Sequence, residues 1–344
     1  MSVFFGEKEF FGLDFGSSSI RLVQLRLSGA RWNLISYGQA NIPIGISQSD
    51  SPMDVKQVAQ IIKKLTHDCR VSTRNAVVGF PGSAVYTVVV KLPQMTTAEI
   101  EKAVQWQAEQ NIPLSLEEVR ISWQLISPSA GPNQEMAVMI VAAPNTKIQR
   151  MMDTLTQADL KVVSLETVPI ALSRSLGATQ GSRVLVLDIG ATNTELAIIQ
   201  DEVLYHSRTI PVASFAFTRA MSQNLGLDIN QAEQFKRKFG LAQDKLEGEI
   251  FKTLQPLLAG LVEDVKRSIK FYQEQFGELI DKVVLAGGGA RLPELPSYLS
   301  SLLEVDVQVA NPWADVNYPA SVQQDLQNTY AEYAAAIGLA KRKQ

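Results

Sequence analysis

Leu13–Leu25, LDFGSSSIRLVQL, and Leu187–Ile199, LDIGATNTELAII, carry one pattern twice. In each copy a short apolar run (Phe10 to Leu13; Val184 to Leu187) ends in Asp-x-Gly, small hydroxyl or amide residues follow, and a second apolar run begins. That order reads as strand, tight turn and strand. A further strand follows closely, after Ser28-Gly29-Ala30 in the first copy and near Gln200-Asp201 in the second, so each copy is expected to open on an antiparallel meander. The copies stand 174 positions apart, from Asp14 to Asp188. A self-similar period of that length predicts two homologous lobes rather than a solenoid.

The length agrees, since 344 residues exceed the usual single core and leave each lobe enough chain to bury its own. After the first meander, Val55, Val58, Ile61, Ile62 and Leu65 fall at helical spacing within Met53 to Cys69, and Ala76 to Phe80 reads as a buried strand broken by Pro81-Gly82. Strand (Tyr86 to Leu92), helix (Thr97 to Gln110), strand (Val119 to Ile126) and strand (Met136 to Ala142) come next, with Ser127 to Gln134 as a Ser-, Pro- and Gly-rich linker. A helix from Thr146 to Ala158 leads to the strand Lys161 to Leu165, which is expected to rejoin the first lobe's sheet. The predicted division is a first lobe of residues 1–83 and 161–180 with 331–344 returning to it, an inserted subdomain and connecting helix over 84–160, and a second lobe over 181–330. In that second lobe, Ile250 to Phe276 reads as a one-faced helix that Pro256 should start or kink.

Composition excludes several classes. Apolar residues at 46% and charged residues at 19% describe an ordinary globular chain. A net charge of -3 offers no basic surplus for a phosphate backbone, so nucleic acid is not expected as a partner. The lone Cys69, read as a helix-packing residue, rules out an intrachain disulfide and a multi-cysteine metal site and points to reducing cytoplasm. The start, MSVFFGEKEFFGLDFG, lacks a secretory pattern, and no run reaches the roughly 18 apolar residues of a spanning helix, so membrane association is expected only through partners.

Asp-x-Gly followed by small residues suits a phosphate: glycine admits the backbone, amides and hydroxyls surround the oxygens, and the carboxylate can hold magnesium. One such turn is ordinarily a hairpin, but two matched copies facing each other would form a phosphate clamp. A third glycine turn, LAGGGARL at Leu285 to Leu292, follows the apolar run Val283 to Ala286 and precedes a helix expected from Leu295. It is either a flexible connection or a close approach to a flat ring or phosphate. On the helix Gln231 to Phe239, Glu233, Lys236 and Arg237 share one face, as a solvated ion pair or as contacts to ribose and adenine; spacing leaves both open.

These four elements, in this order, resemble the actin-like ATPase superfamily over essentially the whole chain. GLDFGSSSIRLVQL, AEQFKRKFG and LAGGGARLPEL make the PilM family of type IV pilus assembly proteins the nearest match, with the division protein FtsA as a close relative. The resemblance implies an α/β, actin-like (ribonuclease H-like), duplicated two-lobe ATPase fold with an FtsA-type inserted strand-helix-strand-strand subdomain. It further implies ATP or ADP with Mg²⁺ held by Asp14 and Asp188, and phosphates among Gly16, Ser17, Ser18, Ser19, Gly190, Thr192 and Asn193. Glu233 and Lys236 would then meet the ribose and adenine, and Gly287, Gly288, Gly289 and Arg291 the base and adjoining phosphate.

SLETVPIAL (Ser164 to Leu172) resembles the first connecting helix between lobes, where Glu166 would orient an attacking water or simply favour a helix N-terminus. AAAIGLA (Ala334 to Ala340) resembles the second, whose small residues would let the two helices cross closely. Relatives that hydrolyse briskly often carry Gly-Gly-Gly-Thr where this chain has Ile189-Gly190-Ala191-Thr192, which shifts the expectation to ATP binding with slow or absent turnover.

By the same resemblance the chain is a cytoplasmic platform, peripheral at the inner membrane. It would bind the cytoplasmic N-terminal peptide of PilN, on a groove formed by the inserted subdomain and the first lobe, with the PilN/PilO complex, PilC and the pilus motor ATPases as further contacts; homo-oligomerisation stays open. An FtsA-like division protein is the alternative. After AAAIGLA only Lys341-Arg342-Lys343-Gln344 follow, and basic residues worth about 1 kcal/mol each at anionic lipid do not anchor without an apolar face. A small-molecule kinase ranks third, because no Asp-rich substrate motif lies between the phosphate turns.

Overall fold

The structure, a computed structural model, describes residues 9–130, 135–177 and 181–343. Along the chain, β1 (Phe11–Phe15), β2 (Ser19–Ser28) and β3 (Arg31–Asn41) form a meander, followed by α1 (Pro52–Asp68) and β4 (Asn75–Phe80). The strand-helix-strand-strand insertion is β5 (Tyr86–Leu92), α2 (Thr97–Asn111), β6 (Val119–Ala130) and β7 (Glu135–Pro144); α3 (Asn145–Gln157), β8 (Lys161–Thr167) and α4 (Val168–Leu176) come next. The second copy runs β9 (Arg183–Ile189), β10 (Thr194–Gln200), β11 (Val203–Ile210), α5 (Ser214–Leu225), α6 (Ile229–Phe239), α7 (Glu249–Phe276), β12 (Lys282–Ala286), α8 (Leu295–Leu303) and β13 (Asp306–Val309). The chain closes with β14 (Val316–Asn317), α9 (Ala320–Gln327) and α10 (Ala334–Ala340).

The duplication is visible in the sheets. One is ordered β14-β3-β2-β1-β4-β8 and another β11-β10-β9-β12-β13. Apart from β14, each places an antiparallel meander beside two parallel strands, in the order third, second, first, fourth, fifth. Even the register break repeats, between Gln24 and Leu25 in β2 and between Ile198 and Ile199 in β10, at the same 174-residue offset. The central strands are near-continuous apolar runs (Val184 to Leu187, Val283 to Ala286) because parallel strands covered on both faces have no side to give to water.

The chain divides into two compact units. The first comprises Met1–Phe80, Arg150–Leu176 and Ala310–Gln344, and the second Pro81–Gln149 and Gly177–Val309. In the first, α10 packs on α4, β1 and β2 through small residues. A methyl group on Gly12 would stand 2.6 Å from the Ala340 nitrogen, so no other residue fits there without moving the helix. In the second, α2 opens with a capping box, Thr96 and Glu99 each satisfying the other's end of the turn, and buries Ile100, Val104 and Ala108 against Val90, Leu92, Val138 and Ile140 of the three-stranded sheet β5-β7-β6.

Several expectations change in detail. Residues 127–130, read as linker, continue β6 as far as Ala130 through an irregular register, while 131–134 lie outside the described residues. Pro256 does not start α7, which begins at Glu249 and continues through it, held by the buried face Leu254, Leu258, Leu261 and Val265. Glu166 lies on β8, paired with Gly79 of β4, rather than on a helix. The chain returns to the first sheet before residue 331, since Val316 already pairs with Trp32. Residues from Arg150 group with the first unit, where the Arg150 guanidinium donates to the Ser47 carbonyl at 2.7 Å.

Candidate nucleotide-binding turns

In the first unit β1 delivers Asp14 to a tight turn in which the Gly16 amide donates to the Ser19 carbonyl at 3.1 Å. A Cβ on Gly16 would lie 2.7 Å from that oxygen, which is why glycine stands there. Ser17 and Ser18 are half-buried, Ser19 is buried, and the Ser18 carbonyl accepts the Ile42 amide at 2.9 Å. Burial pushes the Asp14 carboxyl up to about 6, with the positive charge of Arg21 opposing the shift. Arg21, the register partner of Asp14, spends its guanidinium on Glu332. A buried carboxylate of this kind gains from a nearby cation.

The second unit repeats the turn. The Gly190 amide donates to the Asn193 carbonyl at 3.0 Å, and a Cβ on Gly190 would meet that oxygen at 2.8 Å. The carbonyls of Gly190 and Ala191 accept the amides of Ser214 and Phe215 at 3.1 and 2.9 Å, so the first turn of α5 clamps this segment. Thr192 and Asn193 are half-buried, and their side chains meet at 3.4 Å.

The three glycines after β12 have different tasks. Ala286 is paired with Asp188, which brings Gly287 against the Asp188 carboxylate. Gly287 has φ of 77°, and a Cβ on it would overlap that carboxylate and stand 2.7 Å from the Ile189 carbonyl oxygen. Gly289 is likewise held against Ile189. Gly288 is exposed, with open space where its Cβ would point. Arg291, also exposed, ends the short turn Gly288–Arg291.

Glu233 and Lys236 are brought together on α6. The buried Lys236 ammonium donates to Glu233 at 2.7 Å, Ser214 Oγ at 2.7 Å, Thr218 Oγ1 at 2.8 Å and the Ser214 carbonyl at 3.0 Å. Burial alone would raise the Glu233 carboxyl, but hydrogen bonds from Lys236, Thr218 and Arg237 reverse this and hold it at about 2. Of the two readings left by the spacing, the ion pair therefore exists, with Lys236 buried, Glu233 half-buried and Arg237 exposed at its edge. Its link to Ser214 joins α6 to the helix start that clamps Gly190 and Ala191.

Glu166 is only 11% exposed, and each carboxylate oxygen meets a guanidinium, one from Arg174 and one from Arg342. Arg174 also donates through Nε to the Gly338 carbonyl at 2.9 Å, so this cluster braces the crossing of α4 and α10. Of the basic residues after α10, Lys341 is bound to Asp315 at 2.6 Å and Arg342 to Glu166.

Sequence reading missed Glu195, a buried acid on β10 in register with Asp188. The repeat places position 195 opposite Asp188, as it places Arg21 opposite Asp14, but nothing in the repeat gives its partner. Ser214 and Thr218 were also missed, since only the packing of α5 on α6 makes them acceptors for Lys236.

The residues present fit a Mg-nucleotide in chemistry. Each turn holds one carboxylate and small donors on a glycine-permitted backbone, and magnesium takes one or two carboxylates with phosphate oxygens and water. A family model described as type IV pilus assembly protein PilM matches residues 12–344. A solved PilM-PilN type IV pilus biogenesis complex is similar at 29% identity and a TM-score of 0.85, covering 97% of this chain and 98% of that one. The cell division protein FtsA of Enterococcus faecalis is 20% identical, over 88% of this chain and 78% of its own length. MreB5 of Spiroplasma citri, solved bound to ADP, shares the fold at 12% identity and a TM-score of 0.51, over 96% and 94% of the two chains. The fold is that of the actin-like ATPases.

Proposed function

The chain belongs to the family of the type IV pilus assembly protein PilM, and from that premise we propose that it is a nucleotide-binding platform of pilus assembly that receives the cytoplasmic N-terminal peptide of PilN. The observation that carries the nucleotide half is the convergence of Asp188, the Gly190–Asn193 turn and Gly287 within one unit. In this reading Asp188 holds magnesium. Gly190, Thr192 and Asn193 surround phosphate, and Gly288 with Arg291 lies against the base and its phosphate. Glu233 and Lys236 form the ribose side. The Asp14 turn, with Gly16 to Ser19, is the matching phosphate turn of the first unit.

The PilN half is supported by the likeness to the solved PilM-PilN complex. In this reading the inserted subdomain is one of the receiving elements. Ala191 in the phosphate turn, and the occupation of Glu166 by two arginines, favour nucleotide holding over brisk turnover. No helix among the described residues is long and apolar enough to cross a membrane. Attachment at the inner membrane is therefore assigned to PilN, with PilO, PilC and the motor ATPases as contacts beyond it.

Calorimetry with Mg-ATP tests the nucleotide half. Wild-type protein should bind saturably, and Asp188→Ala should lose about tenfold or more in affinity, because a charged metal partner is removed. Equal affinity in the two proteins would sink the site assignment.

A further inference from the structure

We propose that Glu195 is a positioning residue that ties the entry turn of the insertion to the strand pair carrying Asp188, so that nucleotide at Asp188 and peptide on the insertion are coupled through it. This rests on the nucleotide and PilN reading above.

The chain enters the insertion through a short helical turn, Gly82–Ala84, whose N-cap is Pro81. Proline has no side-chain acceptor for the first amides of a turn, so those of Gly82 and Ser83 need a partner from elsewhere. The Glu195 carboxylate lies against this turn, beside the backbone of Gly82 and Ser83, and accepts the Thr209 hydroxyl at 2.9 Å. It stands where a cap would, on a distant strand. Glycine at 82 is what permits the approach, since a Cβ there would stand 2.8 Å from the carboxylate carbon of Glu195.

The other end of the relationship is the phosphate turn. Glu195 and Asp188 are register partners on antiparallel strands, so their side chains share a face of the sheet. Thr209 stands opposite Glu195 on the next strand, β11. The carboxylate beside the insertion's first turn is thus fixed to the same pair of strands that presents the metal-holding aspartate. At the equivalent position of the first copy Arg21 faces Asp14 and is bound to Glu332, so only the second copy turns this position toward the insertion. Any shift of the β9–β10 hairpin when nucleotide binds at Asp188 moves the carboxylate against which Gly82 and Ser83 lie.

The test uses the full chain as wild type, Glu195→Ala and Glu195→Gln. Affinity for a labelled PilN N-terminal peptide is measured with and without Mg-ATP, and amide hydrogen exchange is followed at residues 82–85. In Glu195→Ala, exchange at Gly82 and Ser83 should rise about tenfold or more while exchange in β9 and β12 is unchanged. Mg-ATP and nucleotide-free peptide affinities should stay within about twofold of wild type, and the effect of Mg-ATP on peptide affinity should disappear. Glu195→Gln keeps one carbonyl acceptor and should retain part of that effect; it carries the test if the alanine variant does not fold. An unchanged nucleotide effect in a folded variant, or unchanged exchange at Gly82 and Ser83, overturns the proposal. Wild-type protein that binds Mg-ATP and peptide without mutual effect overturns it and leaves the functional reading standing. Wild-type protein that binds neither overturns both.

Discussion

Gly338 of α10 crosses Ala171 of α4 so closely that a Cβ at position 338 would overlap the Ala171 carbonyl group and stand 3.0 Å from its Cα. Backbone rather than a movable side chain occupies the space, so the helices must separate to admit even one methyl group. Gly338→Ala should cost about 3 kcal/mol, at the upper end for overpacking, and Gly338→Val more. Urea unfolding of the first variant reads this as a lower midpoint at unchanged slope.

The three glycines after β12 should separate under substitution. Gly287→Ala is strained at positive φ and collides with Asp188, so it should lower both stability and Mg-ATP affinity. Gly288→Ala meets open space and should leave the melting temperature within about 1 °C of wild type. If the base lies against Gly288, that added methyl group should nonetheless weaken ATP by about fivefold or more, roughly 1 kcal/mol. Thermal unfolding and nucleotide titration on the same samples decide it; unchanged affinity in Gly288→Ala would remove the base from this turn.

Acid sensitivity should be traceable to His206. Burial, with the like charge of Arg208, pulls its imidazole from the ordinary 6.5 down to about 4. The unfolded chain therefore takes up a proton below pH 6.5 while the folded chain resists it until about pH 4. The stability present above 6.5 is lost as the pH falls through that window, by about 3 kcal/mol. His206 packs on Phe271 with ring centroids 4.9 Å apart, so His206→Phe keeps the stacking and removes the titration. Melting temperatures from pH 7 to 4 should fall less in the variant, and parallel curves would contradict this assignment.

What the sequence made legible was whatever repeats or alternates locally. Asp14 and Asp188 announced themselves because a strand ending in Asp-x-Gly recurs with its hydroxyl and amide neighbours, and β5 and α8 begin where their apolar spacing begins. Glu166 was placed on a helix because SLETVPIAL resembles the first connecting helix of the superfamily. Yet Val162, Ser164 and Leu165 pair along β4 and carry the strand through Thr167. The i, i+3 spacing of Glu233 and Lys236 gave the ion pair but not the burial of Lys236, which depends on hydroxyls from α5. Glu195 was illegible for a similar reason: it lies against the backbone of a turn on a remote segment, and a backbone neighbour leaves no mark in a sequence. Pro81-Gly82 was legible as a break in the strand, not as a turn in need of an acceptor.

The central claim is tested most directly by fluorescence anisotropy of a labelled PilN N-terminal peptide titrated with this protein, with and without Mg-ATP. Saturable binding whose midpoint shifts with nucleotide is the predicted result, the shift measuring the coupling between the nucleotide turns and the peptide site. No binding in either condition would contradict the platform reading and leave a nucleotide-binding protein of the actin-like fold with another partner.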